Sequence, residues 1–349
     1  MKQTIGFVNS EDGTRLAYAV AGDGPSLPLV RTPTIATHVE LDQDGLMWGH
    51  YWRFLADGRS FVRYDGRGSG LSDRAALDFS LDARVQDLEA VVNGLKLARF
   101  DLLGHGMAAC VALEYAARNP ARISRLIVLN GMVHGPARRG GDLTAYSQMI
   151  RGSRGFEGPT YDRLFASTMI PGGSKEEQTS VMELVRSSVT PEVAASMTEA
   201  GGNIDIVDRI AAIGAPTLVA HCVRSFTAPL AEGRLLASML PNARFVSLES
   251  ENQVLFATEP AWQTFKDEVG AFLASDGIQQ SSLPVIEGLS ARESQVLRRV
   301  AEGATDSQIA HELEISVRTV GNHVNNVLKK TESASRAQAA VWAAKKGFL

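Results

Sequence analysis

The sequence predicts an α/β fold, a mostly parallel sheet with a helical cap, followed by a small all-α unit. Three patterns lead there. Strand-like apolar runs alternate with helical stretches over residues 1–274, the strand signals pause from about 136 to 203, and residues 289–349 carry helical signals only. At 349 residues the chain is long enough for two domains with separate cores.

Thr14–Ala21 is the first strand, and Leu27–Val30, Phe61–Asp65, Phe100–Leu103 and Ile123–Asn130 follow it. Thr217–His221 and Ala243–Leu248 come after the pause. Nearly continuous apolar strands separated by helices are buried on both faces, as in a parallel sheet. Leu81, Val85, Leu88, Val91, Val92 and Leu95 recur at helical spacing and give one buried face. Segment 136–203 reads as helix and loop. It is placed as a cap over the C-terminal strand ends, where such sheets bind ligands. Residues 275–288 are polar and rich in breakers, and read as a linker to the final domain at 289–349.

A hydrophobic content of 44% with 21% charged residues excludes a disordered or fibrous chain. The net charge of −4 conceals a basic end. From Val317 onward Arg318, Lys329, Lys330, Arg336, Lys345 and Lys346 face only Glu332, which points to a polyanion partner there. Cys110 and Cys222 sit in apolar patterns and are expected as reduced core thiols, with neither a disulfide nor a metal site. No stretch approaches the ~18 apolar residues of a membrane span, and the N-terminus has no signal core. A cytoplasmic protein is expected, with no membrane partner and no cofactor.

Asp101-Leu102-Leu103 closes a strand, Gly104-His105-Gly106-Met107-Ala108 turns sharply, and Ala109–Ala117 continues as a helix. Such a strand–turn–helix lifts the serine of a G-x-S-x-G motif above a parallel sheet. Here Gly106 holds the serine's place. Further anchors are Arg63-Tyr-Asp-Gly-Arg-Gly-Ser-Gly-Leu-Ser-Asp73, Tyr115-Ala-Ala-Arg-Asn-Pro120 and Ala215-Pro-Thr-Leu-Val219, then Leu248-Glu-Ser-Glu-Asn-Gln253 and Glu259-Pro-Ala-Trp262. On these residues the chain up to 274 resembles the α/β-hydrolase family. More narrowly, it resembles the hydrolase-like sensor domains fused to bacterial LuxR-type regulators. The resemblance implies nucleophile, acid and base positions at Gly106, Ser225 and Gln253. Glycine has nothing to deprotonate, serine cannot stabilise an imidazolium, and an amide takes no proton near neutral pH. The expectation is a degenerate triad and no enzyme.

Of the seven histidines only His105 is placed beside the elbow, and it is read as a structural neighbour bonded to backbone. The emptied site is expected to persist as an apolar pocket of the ~300–1,000 Å³ class. Its expected ligand-binding residues are Thr32 and Thr34 from the family's oxyanion loop, His105, Gly106 and Met107 at the elbow, Phe156 in the cap, and Gln253. Gln253 offers a neutral donor and acceptor, whereas Met107 and Phe156 are equally well explained by packing.

Ser290-x-x-Glu293 and Thr305-x-x-Gln308 are capping boxes, and Ser316 caps a third short helix. In that helix Val317, Val320, Val324 and Leu328 recur at core spacing, while Arg318, Asn322, Asn325 and Lys329 form a polar stripe. Arginine and asparagine suit base edges, and Lys329 and Lys330 suit phosphates. The runs Leu289-Ser-x-Arg-Glu-x-x-Val-Leu297, Ala301-x-Gly303, Gln308-Ile-Ala-x-x-Leu-x-Ile-Ser316 and Thr319-Val-x-x-His323 closely resemble the LuxR-type helix-turn-helix domain over its full length. The DNA-facing set is then Ser316, Arg318, Thr319, Asn322, Asn325, Lys329 and Lys330. Two positions depart from the family. Gly321 stands where lysine is usual, which leaves operator preference to Asn322 and Asn325. Glu332 stands where a glycine suited to positive φ is usual, which leaves room for a shifted turn.

The resulting expectation is a ligand-responsive transcription regulator, an activator as is more usual for the family. Its partners would be double-stranded promoter DNA, a small, largely apolar ligand, a second copy of the chain and RNA polymerase. Two alternatives stay open: an active hydrolase or lyase tethered to DNA, and a ligand-independent regulator that uses the hydrolase fold for dimerisation.

Overall fold

Eight strands of the computed structural model join in one sheet. They are β1 (Gln3–Asn9), β2 (Arg15–Ala21), β3 (Ser26–Arg31), β4 (Arg59–Tyr64), β5 (Phe100–His105), β6 (Ile123–Leu129), β7 (Thr217–Cys222) and β8 (Ala243–Leu248). The structure describes residues 2–76, 78–153, 160–275, 289, 291–301, 303–313 and 315–345. Sheet order is β1-β2-β4-β3-β5-β6-β7-β8. β1 and β4 pair antiparallel with β2, and all the other neighbours are parallel.

β5 and β7 are buried at every residue, so both faces of the central sheet are covered. Period-two alternation sorts their apolar side chains. Leu103, Ile127, Leu129 and Leu218 face a core built on Trp48, Trp52, Trp262 and Phe265. Leu102, Leu126, Val128 and Val219 face the opposite core, under the helices Leu81–Gly94 and Ala109–Arg118. Ser80 caps the first of these, accepting from the Ala83 amide. Cys110 and Cys222 are buried free thiols, pushed up to about 12 mainly by desolvation. β1 is an addition to the sequence reading. It is an edge strand of intermediate and exposed residues, so no apolar run betrays it.

Between β6 and β7 the described residues hold the helices Leu143–Gly152, Thr160–Met169, Lys175–Ser188 and Pro191–Gly202. A single bridge, His134 to Asp205, closes the base of this insertion. Helix Pro260–Ala274 ends the hydrolase-like part at Ser275. The rest of the segment read as a linker, and Ser290, lie outside the described residues.

Among the described residues the C-terminal unit holds four helices, Ala291–Ala301, Asp306–Glu312, Val317–Lys330 and Arg336–Lys345, where the sequence predicted three. Thr305 and Gln308 form a reciprocal capping box, and Ser316 caps the third helix. Val296, Ile309 and Val320 share one small core, and Leu297, Val327 and Ala343 another. Val317 departs from its expected core position. It is 50% exposed, and the buried stripe runs through Val320, Val324 and Val327. Glu332 adopts φ +50°, so the turn forms where glycine is usual without shifting out of the left-handed region.

Candidate functional site: the elbow and the cavity over it

β5 runs straight into the elbow. Gly106 has φ +56°, and a 3-10 turn over Gly106–Ala108 leads into helix Ala109–Arg118. A Cβ at Gly104 would lie 2.6 Å from the Ala109 Cα, so glycine permits the close crossing of strand and helix. A Cβ at Gly106 would lie 2.9 Å from Gln253 Nε2. Thr32 sits below the elbow. Its hydroxyl donates to the Ala108 carbonyl at 3.0 Å, and it is not among the residues that line the cavity.

The three positions expected for a triad, Gly106, Ser225 and Gln253, lie close together. Ser225 Oγ donates to Gln253 Oε1 at 2.5 Å, and Thr227 Oγ1 donates to the same oxygen at 2.8 Å. Two donors on one oxygen fix the amide, leaving Nε2 toward Gly106 with no hydrogen-bond partner among the described residues. The Gln253 backbone is held as firmly. Its carbonyl accepts from His105 Nε2 and from Asn130 Nδ2, each at 2.8 Å. Asn130 Oδ1 in turn accepts from the Cys222 amide at 2.7 Å. The sequence reading missed Thr227 and Asn130. Both act across about 26 to 120 residues of chain, so no local pattern announces them.

His105 is fully buried, and desolvation with the nearby Arg31 charge pulls it down to about 3. It is therefore neutral near pH 7, with Nε2 the donor and Nδ1 without a partner. Arg31 itself is lowered to about 10 by burial, stacked on the Trp48 and Trp52 rings.

A cavity of about 530 Å³ lies over these residues. Thr34, His105, Gly106, Met107 and Gln253 line it, while Phe156 is outside the described residues. The insertion supplies Tyr146, Phe165, Met169 and Met197. Arg84, which the sequence reading did not single out, also faces it.

In the C-terminal unit Arg318, Asn322, Asn325 and Lys329 stand exposed at spacings of four, three and four, one stripe of the third helix. Ser316 and Thr319 are engaged with each other, Oγ to Oγ1 at 2.7 Å, and Ser316 also accepts the Thr319 amide. Lys330, expected at a phosphate, is engaged within its own unit. Its Nζ pairs with Glu293 Oε2 at 2.7 Å, and Glu293 is almost wholly buried.

Known proteins resemble both parts. The family model described as alpha/beta hydrolase fold matches residues 45–260, and that of the bacterial regulatory proteins of the luxR family matches 287–343. A pyrrolizixenacetamide deacetylase of Xenorhabdus hominickii is 23% identical over 242 residues, covering 68% of this chain and 87% of that protein. The transcriptional regulatory protein LiaR of Bacillus subtilis is 44% identical over 57 residues, covering 16% of this chain and 27% of LiaR. Among solved structures an esterase from Exiguobacterium antarcticum superposes with a TM-score of 0.67 at 20% identity, over 78% of this chain and all of the esterase, a likeness of fold. The hydrolase-fold relatives are enzymes, and among the described residues no helix is long and apolar enough to cross a membrane. The chain belongs to the α/β-hydrolase fold family and carries, fused to that fold, a LuxR-family DNA-binding regulatory domain.

Proposed function

We propose that this protein is a cytoplasmic, ligand-responsive transcription regulator whose hydrolase fold has become a non-catalytic sensor. The sensor would span 1–274, the linker 275–288 and the DNA-binding domain 289–349. One observation carries the reading. Gly106 and Gln253 line the 530 Å³ cavity and Ser225 is hydrogen-bonded to Gln253 behind them, so the positions expected for nucleophile, base and acid hold no activated nucleophile and no imidazole. Gln253 Nε2 then offers a donor to a ligand where a catalytic imidazole would stand. At the other end Arg318, Asn322, Asn325 and Lys329 are free to address DNA, and a homodimer would set two such helices at half-sites about 34 Å apart. Activation through RNA polymerase is the mode usual in the family.

The enzymatic relatives favour a second reading, an active hydrolase tethered to DNA. It needs a base, and the one histidine at the elbow is neutral with its pKa held at about 3. A panel of activated esters and lactones separates the readings. Neither the wild type nor Gly106→Ser is expected to turn over any of them, because the serine would still lack an imidazole. Wild-type turnover that disappears in Gln253→Ala would sink the non-catalytic reading.

A further inference from the structure

Helix Leu81–Gly94 carries Arg84 into the cavity wall. The charged groups nearest to it are already committed to one another. Arg67 holds Asp87 through two hydrogen bonds of 2.8 and 2.7 Å and reaches Asp12 at 2.8 Å. Arg84 has no ion pair and no side-chain hydrogen bond among the described residues, and burial pulls its pKa below the usual arginine value. Arg84 is half-buried, and Asp87, the carboxylate nearest to it in the same recess, is neutralised by Arg67, so an anion arriving from solvent would give the Arg84 guanidinium the direct partner it lacks.

A second observation stands beside it. The Tyr64 hydroxyl is buried and has no hydrogen-bond partner. Tyr64 and Arg84 line a recess of about 20 Å³ that shares Thr34, Ile35, Arg84 and Met197 with the cavity. Such a volume admits a single oxygen-sized group, since one water needs about 10–15 Å³ of this kind of space. The cap side of the main cavity is mostly apolar, with Leu143, Phe165 and Met169 in its wall.

We propose that the cavity takes an amphiphilic acid, its carboxylate paired with Arg84 and accepting the Tyr64 hydroxyl, its hydrocarbon body filling the space under the cap. The inference rests on the reading of the cavity as a ligand site and narrows that ligand from apolar to anionic. A carboxylate fits the donors present. Its two oxygens match the parallel N–H groups of one guanidinium, and the hydroxyl satisfies a remaining lone pair. A phosphate would bring a further oxygen and a second charge to a recess of about 20 Å³ that admits one oxygen-sized group.

The test is calorimetric titration of the full chain with sodium octanoate and with octanamide, its neutral counterpart of equal length. The wild type is expected to bind the acid at least about tenfold more tightly than the amide, a difference of about 1.4 kcal/mol. Arg84→Met is expected to abolish that preference and leave amide binding within about twofold, and Arg84→Lys to retain the preference. If Arg84→Met does not fold, the wild-type ratio and the lysine variant decide. Equal binding of acid and amide by the wild type, or a preference that survives Arg84→Met, overturns the role of Arg84 and leaves the cavity a ligand site. If neither acids nor amides of eight to twelve carbons bind the wild type, the ligand-site reading fails with it.

Discussion

A serine at position 106 would meet two obstacles: the left-handed backbone there, and an amide that Ser225 and Thr227 prevent from swinging aside. The neighbouring His105 is held neutral by its burial. Its folded pKa of about 3 lies well below the ~6.5 of a free histidine, so the unfolded chain binds the proton more readily. The stability carried by neutral His105 is fully present above pH ~6.5 and is lost as pH falls from there toward 3. Each unit inside that window costs about 1.4 kcal/mol. Denaturant unfolding of the wild type and of His105→Asn, each at pH 7 and pH 5, isolates this residue from the other depressed histidines, His38, His50, His221 and His323. The wild type should lose roughly 2 kcal/mol more than the variant over that interval. Equal losses would mean that His105 is not the residue whose protonation opens the fold.

Among the elements, the recognition helix separates two lysines that the sequence treats alike. Lys329 is exposed and unpaired among the described residues, whereas Lys330 is bound to Glu293 on the first helix of its unit. Lys329→Ala should therefore weaken DNA binding evenly across sequences and reduce the slope of log K against log salt by about 1. Lys330→Ala should leave that slope nearly unchanged and cost the C-terminal unit on the order of 0.5–1 kcal/mol in thermal unfolding, a modest figure because the lysine is partly exposed. A slope change of equal size in both variants would put Lys330 on the DNA after all. The two lysines differ through a contact 37 residues away, which helical periodicity cannot register. The same limit marks what was legible elsewhere. β5 to β7 could be read because strands covered on both faces are apolar almost throughout. β1 could not, as an edge strand half in solvent. Helix Arg336–Lys345 was missed because its inward face rests largely on Ala339 and Ala343, too small to draw an apolar stripe. At the site, the order of family anchors led to Gly106, Ser225 and Gln253, which the fold brings close together, while Thr227 and Arg84 emerge only when distant segments meet at the cavity.

In the whole molecule, sensing requires that occupancy of the cavity and occupancy of the recognition helix know of each other. A ligand that binds two domain arrangements equally well shifts neither, however tightly it binds. Coupling is also reciprocal, and that makes it testable without knowing the natural promoter. A high-affinity duplex can be selected from random sequence by the protein itself, and its Kd measured with and without saturating octanoate. A coupling of about 1 kcal/mol or more should change that Kd at least about fivefold. The selected duplex must then change the octanoate Kd by the same factor, in the same sense. At ligand concentrations near 100 times its Kd, the unfolding free energy of the hydrolase-like part should rise by about 2.7 kcal/mol whether or not coupling exists. That stabilisation separates an unoccupied cavity from an uncoupled one. If octanoate stabilises the fold and the duplex affinity stays unchanged, the hydrolase fold binds without signalling, and the ligand-independent regulator becomes the better account of this chain.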